Sequence, residues 1–237
     1  MEQDYRIAGL RVRMDTFGRT AALAQPYCID FGAKADICIQ SQQGYYRQRQ
    51  ADAPEDDLEY MGTSRDFYTK LLQYDGMALH ASAVMVDGRA YLFSADSGVG
   101  KSTHTALWQQ LLGKDRAIII NDDKPALRWV DGQWLAYGTP WCGKDGLNHN
   151  QCAPVGGICF LQRGASNAIT PYLADDLLFR FLRQTIIVRE SSYIDRMLTL
   201  VDSLTKQVPI WQLHCTPTLE AARLTYQQMA VKDTIHR

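Results

Sequence analysis

The 237-residue sequence has almost no net charge, no long apolar run and no C-x-x-C pair. Its 25 basic and 26 acidic residues argue against bulk attraction to nucleic acid or to an anionic membrane. No apolar stretch approaches the roughly 18 residues that a membrane-spanning helix needs. The first residues, Met1 to Arg6, are polar, which is not the pattern of a signal peptide. We therefore expect a cytoplasmic protein without a nucleic-acid or membrane partner.

Paired metal ligands are also missing. The cysteines are scattered and the five histidines do not complete a zinc-binding pattern, so reduced structural thiols are favoured over a zinc site. With 46% apolar and 22% charged residues, the composition is that of a globular protein. The cysteines are Cys28, Cys38, Cys142, Cys152, Cys159 and Cys215.

Two hairpins and several helices can be predicted from the pattern. Asp87-Gly88 joins β-rich runs at 78–86 and 89–95, and Asp131-Gly132 joins runs at 126–130 and 133–137. Further strands are predicted at 117–120, buried on both faces, and at 155–161. Helical spacing is found at 64–73, 102–112, 175–185, 193–207 and 219–229.

The N-terminal part differs from the rest. Residues 4–50 predict short strands, and the polar stretch 40–57 is interpreted as a loop or boundary. We expect a β-rich extension over residues 1–60 and one α/β core over residues 61–237, with a mixed β-sheet and helices.

The segment Ala95-Asp96-Ser97-Gly98-Val99-Gly100-Lys101-Ser102 carries the strongest functional signal. It matches G-x-x-x-x-G-K-[ST], except that alanine replaces the first glycine. It follows a predicted strand and opens a predicted helix, which would aim backbone N–H groups at phosphate. The loop glycines permit positive φ, Lys101 (expected to be exposed) would neutralise phosphate charge, and the Ser102 hydroxyl suits Mg²⁺. The alternative is a glycine turn before an ordinary helix. The predicted nucleotide-binding residues are Asp96, Ser97, Gly98, Val99, Gly100, Lys101, Ser102 and Thr103.

Asp122 and Asp123 come just after the buried strand predicted at 117–120. Adjacent carboxylates there can divide labour, one binding the metal and the other taking a proton from the attacking hydroxyl. The alternative is turn chemistry, for which Asp-Asp-Lys-Pro is well suited. His80 precedes the loop on an apolar strand; taken alone, such a histidine is more often a core residue.

Together, these motifs resemble the catalytic domain of bacterial HPr kinase/phosphorylase. That family has a His-containing strand, a G-[DE]-S-G-x-G-K-S loop and a strand ending in Asp-Asp, in the order seen here for His80, residues 95–102 and Asp122-Asp123. The resemblance covers residues 78–130 best and is strongest to the short HPr-kinase-related proteins. It implies a P-loop-containing core similar to the nucleotide-binding half of phosphoenolpyruvate carboxykinase.

The resemblance also implies roles for these residues. Lys101 and the loop amides would contact the β- and γ-phosphates of ATP, and Ser102 with an aspartate would bind Mg²⁺. One aspartate would be the base; we favour Asp122 as base and Asp123 as metal partner. His80 would lie near the transferred phosphate. The family forms ring-like assemblies, so a homo-oligomer is among the expectations.

The expected activity is ATP-dependent transfer of the γ-phosphoryl group to a hydroxyl, with serine of a protein or peptide as the favoured acceptor. One alternative is a small-molecule (free serine) kinase or a carboxykinase-like enzyme. Another is a nucleotide-binding regulatory protein with little catalysis, which is favoured by Thr103, because family members commonly have Glu there.

Two other features stay open. The segment 138–144, with Trp141 and Lys144, is either a cover for the nucleotide or acceptor, with residues 148–150 just beyond, or a plain surface loop. Trp129, Trp134 and Trp211 are expected to pack in the core or hairpins rather than to form a platform for a base.

Overall fold

The computed structural model describes residues 2–32, 34–41, 43–173, 175–186 and 191–231, and its strands form two β-sheets. The smaller sheet is N-terminal. Its strands are β1 (Gln3–Ile7), β2 (Leu10–Met14), β3 (Cys28–Ile29) and β4 (Ile37–Cys38). They lie in the order β3-β1-β2-β4, so the predicted N-terminal strands are present.

Three helices accompany the smaller sheet. They are α1 (Gly18–Ala24), α2 (Gln43–Arg47) and α3 (Glu55–Leu71). Phe67 and Leu71 of α3 share one apolar core with Ile7, Val12 and Met14 of the sheet. This core fixes α3, and with it one wall of the cleft described below.

The larger sheet is mixed and is organised around one long strand. Its strands are β5 (Gly76–Ala78), β6 (Ala81–Val86), β7 (Arg89–Ser94), β8 (Ala117–Asn121), β9 (Ala126–Val130), β10 (Gln133–Tyr137), β11 (Cys152–Arg163), β12 (Ala168–Pro171) and β13 (Ile210–Cys215). The start of β11 pairs antiparallel with β10, whereas the rest of it pairs parallel with β7 and β13. The resulting order is β5-β9-β10-β11-β7-β6-β8, and β12 joins through β13.

Helices cover both faces of this sheet. They are α4 (Lys101–Leu112), α5 (Leu177–Arg183), α6 (Ser191–Gln207) and α7 (Leu219–Tyr226), which a π-turn extends to Val231. Successive strand residues point to opposite faces, so Leu92 of β7 enters a core with α5 and α6, while Phe93 packs with Trp108 of α4 and Ala222 of α7. The molecule is therefore a mixed α/β protein.

Strand direction brings several chain segments to one edge of the larger sheet. Strand β6 is antiparallel to both β7 and β8, so these two run in the same direction. Strands β11 and β13 are parallel to β7. The carboxyl ends of four strands and the start of β6 therefore lie at one edge, which is where α/β sheets usually bind ligands.

Both predicted hairpins are confirmed, and their Asp-Gly turns have positive φ. The helices predicted at 102–112, 193–207 and 219–229 are present, and the one at 175–185 is shorter. The helix predicted at 64–73 begins instead at Glu55. Its start lies within the stretch 40–57 that the polar composition predicts to be a loop or boundary, although Pro54 and the acidic residues after it are typical of a helix N-terminus.

Other elements were not predicted, namely α1, α2, β12 and β13. The strand predicted over 78–86 is also interrupted, because the chain leaves β5, which pairs with β9, and enters β6, which pairs with β7. In between, the N–H groups of Leu79 and His80 donate to the carbonyls of Pro125 and Gln184. This break gives His80 its position at the edge of the sheet.

The predicted boundary between residues 60 and 61 falls inside α3. Ala78, Ala126 and Trp141 of the following segment share the apolar core of the N-terminal sheet. The division into an extension and a core stays a prediction. Among the described residues, no helix is long and apolar enough to cross a membrane.

Candidate functional site

A cleft of about 610 Å³ opens at the edge where the strands end. One side of it is formed by three segments that are far apart in the sequence: the glycine-rich loop between β7 and α4, the end of β8, and His80 before β6. The predicted site residues that line it are His80, Ser97, Gly98, Gly100, Lys101, Ser102, Thr103, Asp122 and Asp123. Of the remaining two, Val99 faces a second cavity and Asp96 turns towards α5.

The glycine-rich loop, residues 95–100, has the backbone that the sequence predicted. Gly98 has φ +77° and Gly100 has φ +125°, a region that favours glycine. A Cβ atom at Gly98 would meet nothing within 4 Å, so open space lies outside the loop. Gly100 caps α4, whose first-turn N–H groups have no partner within the helix. A loop and helix terminus of this kind can hold an anion.

Lys101 is nearly buried, at 8% exposure, contrary to the expectation of an exposed loop lysine. Its amine donates to the carbonyl of Ala95 at 3.0 Å, across the base of the loop. Burial lowers the pKa of Lys101, and the carboxylates of Asp123 and Asp122 oppose this shift. The ammonium group therefore lies within electrostatic reach of both aspartates.

A turn after β8 positions the two aspartates. The side-chain oxygen of Asn121 accepts hydrogen bonds from the N–H groups of Asp123 and Lys124, at 2.9 and 2.7 Å. The Asn121 amide in turn donates to the carbonyl of Thr139 at 3.0 Å. Asn121 is fully buried, so its hydrogen bonds hold the turn that carries both carboxylates in one conformation.

The two carboxylates occupy different environments. Asp122 is nearly buried and accepts a hydrogen bond from Ser82 at 2.5 Å. Burial raises the pKa of Asp122, and hydrogen bonds from Ser82 and Ser102 oppose this shift in part. Asp122 is thus the carboxylate beside the Ser102 hydroxyl of the loop.

Asp123 lies between the side chains of His80 and Lys124. His80 Nε2 is 3.1 Å from one carboxylate oxygen, and Lys124 Nζ is 2.5 Å from the other. Burial alone would raise the pKa of Asp123, but the hydrogen bond with His80 and the charge of Lys124 outweigh burial and lower it to about 2. Asp123 is therefore ionised at neutral pH.

His80 is half-buried and lines the cleft, so it is not a residue of the apolar core. Its Nδ1 lies 3.1 Å from the side-chain oxygen of Gln184, and its Nε2 faces Asp123. Both ring nitrogens thus face oxygen atoms of neighbouring side chains.

The opposite wall of the cleft comes from the N-terminal part of the chain. The guanidinium of Arg19 lies 4.4 Å from the ring centre of Tyr60, 3.7 Å from Asp57, and donates to the carbonyl of Gly143. The Tyr60 hydroxyl accepts from the N–H of Gly143 at 3.0 Å. Nothing in the local sequence pattern marks Arg19 or Tyr60 as site residues.

The segment 138–144 contributes to this wall, but not through its tryptophan. Trp141 is fully buried and stacks on Phe67 at 4.8 Å, so it neither covers a ligand nor contacts one. Its indole N–H donates to Thr63. Lys144 is exposed and lines the cleft, whereas residues 148–150 do not line it.

The tryptophans at 129, 134 and 211 are packing residues, and the cysteines lie outside the cleft. Trp129 and Trp134 contact each other across the β9–β10 hairpin at 5.9 Å, and Trp211 packs against a core, as predicted. Cys142 and Cys159 are buried, but Cys28, Cys38 and Cys152 are exposed. None of these side chains lines the cleft.

A second cavity, of about 390 Å³, lies on the other side of the glycine-rich loop. It shares Gly98, Gly100 and Thr103 with the cleft. Its remaining lining comes from α4 and from the carboxyl ends of β11 and β13, including Leu107, Leu161, Arg163 and Cys215. Arg163 donates to the carbonyl of Gly98 at 2.6 Å and so ties the wall of this cavity to the loop.

No protein-family model and no curated protein matches the chain. Among solved structures, it is similar to the Hpr(Ser) kinase/phosphatase from Coxiella burnetii, with a TM-score of 0.35 and 14% sequence identity. The similarity covers 67% of this chain and 96% of that one. A likeness of this size carries no conclusion about activity, which has to come from the geometry of the cleft.

Proposed function

We propose that the protein is an ATP-dependent kinase that transfers the γ-phosphoryl group to a hydroxyl, with serine of a protein or peptide as the favoured acceptor. One observation carries this proposal: a single cleft brings together a phosphate-binding type of loop, the buried amine of Lys101 and two carboxylates in unlike environments. Phosphoryl transfer depends mainly on positioning and charge neutralisation, and these groups can supply both.

The loop fits the phosphates of a nucleotide. The space beside Gly98 is open, the first-turn N–H groups of α4 are available, and the amine of Lys101 lies at the base of the loop. The second cavity shares loop residues with the cleft, which supports a bound molecule that crosses the loop. We assign this cavity to the nucleoside part of ATP, with Leu107 and Leu161 as its apolar lining.

The oxygen donors in the cleft fit Mg²⁺. This ion prefers hard oxygen ligands and usually keeps several waters alongside one or two carboxylates and substrate phosphates. Among the described residues, no group of three or more His, Cys, Asp or Glu side chains is arranged to hold a metal, so water and phosphate would complete the shell. When bound, Mg²⁺ would neutralise charge on the phosphate oxygens.

The contacts favour the reverse of the roles that we assigned to the two aspartates from the sequence. Asp122 is the carboxylate next to Ser102, and these two oxygen groups together suit the metal. Asp123 faces His80 and stays ionised. In the proposed step, Asp123 accepts the proton of the acceptor hydroxyl while the hydroxyl oxygen forms a bond to the γ-phosphorus. The bond from that phosphorus to the β–γ bridging oxygen breaks, and ADP leaves.

His80 and Lys124 assist this arrangement. Both contact the carboxylate of Asp123 and hold it in place in the cleft. On the outer side of the cleft, Lys144 and Asp145 are exposed. An open, charged rim suits a polypeptide acceptor better than a free amino acid, because small-molecule sites usually enclose most of the ligand.

A regulatory nucleotide-binding protein is the second candidate. It is favoured by Thr103, which brings a hydroxyl rather than a carboxylate to the cleft. The two candidates share nucleotide binding and differ in whether the phosphoryl group is transferred.

The test uses the whole chain with γ-labelled ATP and Mg²⁺. Label transfer to serine-containing peptides, to free serine and to water would be measured, together with ATP binding by calorimetry. Lys101→Met, which preserves the buried aliphatic volume, is expected to lose binding, and Lys114→Met on the exposed loop after α4 is the matched control. Binding without transfer to any acceptor would favour the regulatory protein, and no Mg-ATP binding would refute both candidates.

A further inference from the structure

Gln184 connects the glycine-rich loop to the catalytic side of the cleft. It follows α5 and is 5% exposed. Its side-chain nitrogen donates to Asp96 at 2.8 Å, and its side-chain oxygen lies 3.1 Å from His80 Nδ1. His80 in turn contacts Asp123. A chain of hydrogen bonds thus runs from Asp96 through Gln184 and His80 to Asp123.

The direction of each bond in this chain is determined by chemistry. A carboxylate only accepts hydrogen bonds, so the NH₂ group of Gln184 must face Asp96. The amide oxygen is then left to face His80, where it accepts from Nδ1–H. This leaves Nε2 of His80 directed at Asp123. A single amide therefore orients the imidazole ring in the cleft.

Gln184 is itself held firmly. Its N–H donates to the carbonyl of Phe181 at 2.9 Å, and its carbonyl accepts from the N–H of His80 at 2.6 Å. The next residue, Thr185, donates from its hydroxyl to the carbonyl of Ala78 at 2.8 Å. The end of α5 is thus fixed to the break between β5 and β6. Because the amide is buried, losing either side-chain partner would leave a polar group unsatisfied.

We propose that Gln184 is a positioning residue that couples the glycine-rich loop to the His80–Asp123 pair. The functional side of this proposal rests on the kinase activity proposed above. When Asp96 holds the amide, His80 is presented to the cleft in one orientation. A loop that moves Asp96 away releases the amide and with it the imidazole. Catalytic geometry is therefore complete only when the loop is in its ordered conformation.

Three variants separate the two sides of this coupling. Gln184→Met has similar size but makes no hydrogen bonds. Gln184→Glu still accepts from His80 but repels Asp96. The double variant Asp96→Asn with Gln184→Glu restores a donor facing an acceptor. Gln207→Met, at the exposed end of α6, is the matched control. Each protein would be assayed for kcat and KM of Mg-ATP hydrolysis and for melting temperature.

We expect Gln184→Met to lower kcat by about 10- to 100-fold, the usual effect of losing a partner that orients a functional group. The melting temperature of Gln184→Met should stay close to the wild-type value. Gln184→Glu should keep most of kcat and raise KM, and the double variant should bring KM back towards the wild-type value. In a His80→Ala background, Gln184→Met should have little further effect on kcat. Wild-type kinetics in Gln184→Met would overturn the proposal. So would a full additional loss of kcat when Gln184→Met is added to His80→Ala.

Nitrogen NMR of the His80 imidazole, assigned with His80→Gln, provides a readout that does not need the reaction. Asp96→Ala, which removes the acceptor for Gln184, should shift both His80 ring signals in the wild-type background and leave them unchanged in the Gln184→Met background. If wild-type protein neither binds nor hydrolyses Mg-ATP, the proposed function fails, and these shifts alone decide the coupling. His80 ring signals that respond to Asp96→Ala equally in both backgrounds would refute the coupling.

Discussion

Glu59 on α3 should make the stability of this protein depend on pH. The side chain is 1% exposed, and both of its carboxylate oxygens are buried. Burial raises the pKa of Glu59 from its ordinary 4.5 to about 7, with the Thr20 hydroxyl and the Phe17 backbone opposing the shift only in part. Between pH 4.5 and about 7, the folded protein therefore retains a proton on Glu59 that the unfolded chain has already released.

The sign and size of this pH dependence of stability follow from the difference in proton binding between the folded and unfolded states. Between the unfolded pKa of 4.5 and the folded pKa of about 7, the folded state binds more protons, so stability falls as pH rises through this window and then levels off. At roughly 1.4 kcal/mol per pKa unit, the loss is at most about 3 kcal/mol. Glu59→Gln removes the titration. It should stabilise the protein by up to about 3 kcal/mol at about pH 8 and by little at about pH 5.

Urea unfolding followed by circular dichroism, at several pH values between these limits, measures the effect. Glu2→Gln, an exposed glutamate, is the control for a simple change in net charge. Arg19 lies on α1 and Tyr60 on α3, and both line the cleft. We therefore expect the titration of Glu59 to change the local stability of this wall as well. Parallel stability curves for wild-type and Glu59→Gln across the window would refute the reasoning.

Three further outcomes are expected at the cleft. Saturating Mg-ATP should raise the melting temperature of the wild type but not of Lys101→Met, since only a protein that binds the ligand gains stability from it; thermal denaturation checks this. Asp123→Asn should lower turnover with little change in ATP affinity, whereas Asp122→Asn should weaken Mg-dependent ATP binding as well; calorimetry with and without Mg²⁺ distinguishes them, and full activity in both variants would contradict the assignment. His80→Ala should lower turnover by about 10- to 1,000-fold at a nearly unchanged melting temperature. A destabilised His80→Ala protein with normal specific activity would instead identify a purely structural histidine.

Local chemistry made part of this protein predictable from its sequence. The Asp-Gly turns and the loop glycines adopt positive φ, which is a property of those residues themselves, so the hairpins and the backbone of the glycine-rich loop could be predicted. The start of α3 also has a local signal, in Pro54 and the acidic residues after it, although the polar composition of residues 40–57 predicts a loop there. The catalytic and binding roles of the loop, the aspartates and His80 stay predictions.

Tertiary structure decided which residues share the cleft and how each carboxylate is tuned. Arg19 reaches Gly143 across 124 positions, and His80 reaches Gln184 across 104, distances over which no sequence periodicity can act. Asp122 and Asp123 are neighbours with opposite pKa shifts, because one lies against Ser82 in a buried place and the other between His80 and Lys124. Sequence alone determined the local backbone and the apolar strands. Burial and long-range contacts exist only once the strands have paired, and they set the charges, partners and orientation of the side chains in the cleft.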